Sequence, residues 1–143
     1  MADEIDSVIL TRLKLLDERL EQLESYSEQA LNLQDYVDNV MLRDAVERSF
    51  QVAIEACLDI GRRLIAIKGM HYPENNQRVF LILAQNGVVS PELLGALTAM
   101  VGFWNIIVHD YADINNQTVY EALKSRLDDI RHYAQAIEKY LSI

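Results

Sequence analysis

The sequence predicts an all-α fold: an up-and-down bundle of about five helices forming a single domain over residues 1–143. Three observations predict it. Apolar residues recur at steps of three and four through most of the chain, the period of a helix that buries one face. Only five glycines and two prolines occur, few for a chain built of many short strands and turns. Half of the 143 residues are apolar, enough to fill one core.

The first helix is expected from about Asp3 towards Asn39, with Ile5, Ile9, Leu13, Leu16, Leu20, Leu23, Ser27 and Leu31 on one face. Leu10, Leu15 and Leu33 lie partly off that face, as in a helix touching more than one neighbour. The second spans roughly Met41 to Lys68, and its stripe includes Val46, Phe50, Ile54, Cys57, Leu64 and Ile67. Gly69 sits where a helix ends. A polar loop follows, then a short third helix near Asn76–Gln85, closed by Asn86 and Gly87. The fourth opens at Ser90, Pro91 and Glu92: a capping hydroxyl, a proline pre-set for the first turn, and an acid at the positive end of the dipole. The fifth starts after Ile114, Asn115 and Asn116. Thr118 and Glu121 match a capping box, with Asn116 as a competing cap, and Val119, Leu123, Leu127, Ile130, Ile137 and Leu141 trace its stripe.

Net charge is −9, which opposes indiscriminate binding to phosphates. The charge is uneven. Residues 1–40 carry ten acids and three bases, whereas residues 41–80 carry six bases and five acids. The single cysteine, Cys57, lies on an apolar stripe and reads as a buried structural thiol. One cysteine allows no intrachain disulfide, and no signal peptide is seen, so a cytoplasmic chain is expected. No apolar run is expected to reach the roughly 18 residues of a membrane span. His71 has no second His or Cys at ligand spacing, so no metal site is expected, nor any cofactor.

Chemically able side chains interrupt an apolar run repeatedly in one place, on the fourth helix. Leu93, Leu97, Met100 and Trp104 follow one face; Thr98, Val101, Gly102, Asn105 and His109 follow another. Asn105 and His109 are one turn apart. Glycine within a helix costs roughly 0.5–1 kcal/mol relative to alanine, so Gly102, beside Val101, marks a face where a partner helix packs.

Met100, Val101, Gly102 and Phe103, followed by Trp104, Asn105, His109 and Tyr111, resemble the signature of HEPN-domain toxins of the HepT type. That signature is an Arg, four residues, a His, one residue and a Tyr, with Asn commonly after the Arg. Arg43–Arg48, running on to Glu55, Ala56 and Cys57, resembles the matching earlier segment. The resemblance covers nearly the whole chain and is strongest over 43–60 and 93–121. One position departs: the family Arg is Trp104.

The resemblance implies a homodimeric HEPN-like bundle, with a helix break near Tyr36–Asn39, and a metal-independent endoribonuclease acting on tRNA or mRNA. Two copies of the motif would meet across the dimer. RNA carries its own nucleophile, the 2′-hydroxyl, so a base, an acid and a cation suffice. A histidine can move protons near neutral pH, which fits His109. Asn105 would position it or the phosphate, and an Arg at 104 would clamp the phosphate. Indole offers one N–H and no charge, so activity is expected to be weakened or lost. The resemblance also makes Tyr111 the target of AMPylation by a minimal nucleotidyltransferase (MntA-like) antitoxin, as in type VII toxin–antitoxin pairs. A competing reading is a catalytically inactive helical module that binds such a nucleotidyltransferase. On spacing alone, His109 reads first as a histidine favoured by a helix end, and Tyr111 has a second reading as an ordinary packing residue; the match around the motif reverses the order for His109.

Overall fold

The computed structural model describes residues 6–109 and 113–143; Ile5 and Tyr111 lie outside them. The described chain forms seven helices: α1 (Ser7–Gln29), α2 (Leu33–Asp38), α3 (Val40–Ile67), α4 (Asn76–Gln85), α5 (Pro91–His109), α6 (Asn116–Ser125) and α7 (Leu127–Leu141). The expected all-α bundle is present. It has seven helices rather than five because the first and last expected helices are each broken.

The first break follows from Asn32. Its side-chain oxygen accepts the Asp35 N–H (2.9 Å), and an asparagine that offers the backbone a local partner starts a new helix instead of continuing the old one. Leu31, expected on the apolar stripe, is 80% exposed, and Tyr36 is fully buried in the core instead. Asn39 ends α2 and caps α3 by accepting the Leu42 N–H (3.0 Å), so the chain also breaks at Asn39, at the edge of the Tyr36–Asn39 stretch where the resemblance implies a break.

The second break lies at Arg126. The Ser125 hydroxyl donates to the Glu121 carbonyl (2.6 Å), a back-bond that loosens the helical ladder, and Arg126 ends α6 and precedes α7. The start of α6 also differs from expectation. Asn115, not Thr118 or Asn116, is the cap, accepting the N–H groups of Gln117 (2.9 Å) and Thr118 (3.2 Å). Glu121 is taken by the Gln117 side chain instead (3.1 Å). Elsewhere the expected signals hold. Ser90 accepts the Leu93 N–H (3.1 Å), and Gly69 and Gly87 take positive φ where α3 and α4 end.

Polar contacts fix the helix directions. Arg63 pairs with Asp6 (2.8 Å), Arg12 with Asp59 (3.4 Å), and Arg19 approaches Ser49 (3.5 Å), so α1 and α3 are antiparallel. Lys124 reaches the Ser27 carbonyl and Arg131 reaches Glu24, so the α6–α7 arm runs antiparallel to α1 and along α3. The Phe103 ring meets Phe50 edge-on at 5.1 Å. Met100 and Ile54 share the lining of one hollow with them. α5 therefore runs opposite to α3, and its C-terminal end lies towards the N-terminal half of α3.

The core is continuous, and Ile54, Cys57, Ile60, Leu64, Leu83, Leu97, Val101, Tyr133 and Ile137 are within it. At Gly61 the helices come close: an added Cβ would lie 2.6 Å from Val79 Cγ1. Contrary to the sequence expectation, α5 is long and apolar enough to cross a membrane by length and composition alone. It is packed against α3, α4 and α7. Leu97, Met100, Val101 and Ile107 of its nineteen residues are buried, and Leu93, Leu94, Phe103 and Trp104 are half-buried against the core. Ile106, with Gly95, Thr98, Ala99 and Gly102, leaves an exposed strip of small and apolar residues in the single chain.

Candidate functional site at the end of α5

The C-terminal half of α5 is held by two neighbouring aromatic residues that point in different directions. Phe103 packs on Phe50. Trp104, half-buried, lies over α3, and its Nε1 donates to Glu55 Oε1 (3.2 Å). The same oxygen accepts from Gln51 Nε2 (3.2 Å). A carboxylate oxygen shared by two donors is a defined seat, so the indole is fixed in place.

His109 is the last described residue of α5 and is exposed. Its ring stands edge-on to Trp104, with centroids 6.1 Å apart and planes at 85°. The structure thus brings Trp104 and His109 together. Asn105 is half-buried on the turn between them, with no side-chain hydrogen bond to a described residue. Tyr111 lies beyond the described residues. Val101 is fully buried in the chain's own core, whereas Gly102 is exposed with nothing within 4 Å of an added Cβ. No neighbour within the described chain explains a glycine there.

A hollow of about 380 Å³ lies on the other flank of α5, against α6 and α7. Gly102 and Ile106 border it, but Trp104, Asn105 and His109 do not, and its walls are largely apolar. It brings no proton-transfer group to the motif. Among the described residues no three His, Cys, Asp or Glu side chains gather as metal ligands. Burial pushes the Cys57 thiol up, away from reactivity.

Sequence reading missed Glu55 and Gln51 as parts of this site. Glu55 lies in the segment that resembles the HepT family, but its contact with Trp104 spans 49 positions, which no local pattern reveals.

A helical bundle of this order, with a polar motif in the last described turns of the apolar helix α5, has the form of a HEPN domain. The family model "Ribonuclease HepT-like" matches residues 16–137, and the chain belongs to that family. Among similar proteins, the chain is 26% identical over 135 residues to an mRNA nuclease HepT from Shewanella oneidensis, covering 94% of this chain and 98% of the relative. It is 27% identical over 134 residues to a tRNA nuclease HepT from Aphanizomenon flos-aquae, covering 94% and 90%. Its fold matches a tri-AMPylated Shewanella oneidensis HEPN toxin solved in complex with MNT antitoxin, at TM-score 0.86 and 24% identity over 94% of this chain and 99% of that one. It also matches YutE of Bacillus subtilis, a cytosolic protein of unknown function, at TM-score 0.81 and 19% identity over 94% and 88%.

Proposed function

We propose that this chain is the toxin of a toxin–antitoxin pair, an endoribonuclease whose activity is weakened by Trp104. The reading rests most on one observation: Trp104, which the motif spacing sets at the family's Arg position, is seated on Glu55 and edge-on to His109. His109 supplies the proton transfers to and from RNA, and no metal is required of it. Asn105 orients the scissile phosphate. An Arg on the same seat would be paired by Glu55 and held towards the phosphate. Indole cannot supply that charge. Losing one preorganised donor at a developing charge typically costs about 10²–10³ in rate.

The active form is a homodimer in which the uncovered face of α5, with Gly102 at its middle, meets its copy and the two His109 rings share one cleft. Relatives named for mRNA and for tRNA make both RNA classes candidate substrates. A nucleotidyltransferase antitoxin is the proposed partner, and Tyr111 its AMPylation site. A phosphoryl group two residues past His109 would add negative charge and bulk where RNA must enter.

The decisive experiment compares the natural chain, Trp104→Arg and His109→Ala on tRNA and on mRNA. Cleavage should rise with Trp104→Arg and vanish with His109→Ala. If the natural chain and Trp104→Arg both leave RNA uncut while folded, the ribonuclease reading fails. In that case the binding-module reading, which the missing charge at 104 favours, takes its place. Gly102→Leu should abolish dimerisation, and an unaffected oligomer counts against the α5 interface. Mass spectrometry after co-expression with a neighbouring nucleotidyltransferase should find AMP on Tyr111; an unmodified Tyr111 beside an active partner counts against that role.

A further inference from the structure

With Trp104 uncharged, the site needs a positive group from elsewhere if any cleavage remains. The need is acute. His109 lies in the last described turn of α5, towards the negative pole of the helix dipole, and Glu55 adds a carboxylate beneath the indole. A phosphate approaching that end meets negative charge unless a cation offsets it.

Asp44, Arg48, Gln51 and Glu55 are spaced four, seven and eleven apart along α3, so they share one face. Gln51 and Glu55 are the residues beneath Trp104. Because α5 and α3 run in opposite directions, moving from Trp104 to His109 travels about 7.5 Å towards the start of α3. Moving from Glu55 to Arg48 travels about 10 Å the same way. Along the helix axes Arg48 thus comes level with the histidine to within about 3 Å.

The other arginines of α3 are occupied or hidden. Arg62 reaches Asn76 and Arg63 pairs with Asp6. Arg43 is half-buried with its Nε out of solvent. Arg48 is exposed and makes no hydrogen bond or ion pair with a described residue; the carboxylate nearest along its own face, Asp44, is one turn away and not bonded to it.

We propose that Arg48 is a catalytic residue of this chain: its guanidinium takes the phosphate contact that the motif position no longer supplies. The proposal rests on the ribonuclease reading of His109. Arg48 forms two parallel N–H···O bonds to the non-bridging oxygens of the scissile phosphate. It stabilises the charge gathering there as the 2′-oxygen attacks phosphorus and the 5′-oxygen departs, taking a proton. No bond to Arg48 forms or breaks.

The test is a double-mutant cycle of Arg48→Ala with Trp104→Arg, read as RNA cleavage rate, with helical circular dichroism as the fold check. In the natural background, Arg48→Ala should lower the rate by about 10²-fold, with Arg48→Lys recovering part of it. In the Trp104→Arg background the loss should shrink to about tenfold or less, because the motif cation now does the same task. Arg78→Ala, on exposed α4 surface, should leave both rates unchanged. Equal losses from Arg48→Ala in both backgrounds would make Arg48 a general RNA-binding charge and overturn the proposal. So would a natural chain that leaves RNA uncut while Trp104→Arg cleaves it. If neither cleaves, the failure lies with the ribonuclease reading itself.

Discussion

Gly61→Ala probes the contact that sets α4, and through it the seat of α5. In an open helix, alanine in place of glycine stabilises by roughly 0.5–1 kcal/mol. Here the added Cβ would lie 2.6 Å from Val79 Cγ1, and 3.2 Å from both Leu83 Cδ1 and the Tyr133 hydroxyl. Val79, Leu83 and Tyr133 are themselves fully buried, so none can swing into solvent. The Tyr133 hydroxyl is also committed, donating to the Cys57 carbonyl at 2.8 Å. Overpacking of this kind costs about 1–3 kcal/mol, and disturbing the tyrosine hydrogen bond adds about 0.5–1.5 kcal/mol. Set against the helix gain, the net loss is about 1–3 kcal/mol. At about 2–4 °C per kcal/mol for a domain of this size, the midpoint of thermal unfolding followed by circular dichroism should fall by roughly 2–12 °C. Adding Val79→Ala should return part of the loss attributed to the closest contact, giving a coupling energy outside additivity. A Gly61→Ala chain that melts at or above the parent temperature refutes the close-packing argument.

Three further outcomes follow. Cys57 should resist a maleimide at about pH 8 in the native chain and react promptly once unfolded, because burial pushes its thiol up; rapid native labelling contradicts its burial. Ser90→Ala removes the acceptor for the Leu93 N–H and should cost about 1 kcal/mol in a denaturant titration; no change means that the cap is replaced. Burial, reinforced by nearby Asp44 and opposed by Arg43, holds the Glu47 carboxyl above its ordinary range. The folded chain then keeps a proton that the unfolded chain has lost, so this group makes stability fall as pH rises from the ordinary carboxylate range through the raised one. Glu47→Gln should flatten that slope, which stability measured across acid to neutral pH would reveal.

Much of the bundle was legible because helix periodicity and caps are local. The bounds of α4 and the Ser90 start of α5 could be read from neighbouring residues alone. The breaks at Asn32 and Arg126 were not. Each depends on an asparagine or serine choosing a backbone partner, and the same residues also occur within unbroken helices. At the site, Trp104, Asn105 and His109 were visible as a motif, but the carboxylate beneath the indole was not. Which α3 residue meets Trp104 depends on how two helices cross, and the spacing within either helix is silent on that.

Glu55 gives the double-donor oxygen a consequence for how such a chain can drift. An acceptor that serves an indole equally serves a guanidinium, so exchanging one for the other leaves the scaffold standing. Charge and shape at position 104 become separable properties: the side chain can lose or gain a cation without remodelling the α3 surface on which it sits. On the proposed ribonuclease reading, Trp104→Arg would place a cation on an acceptor that Glu55 already provides.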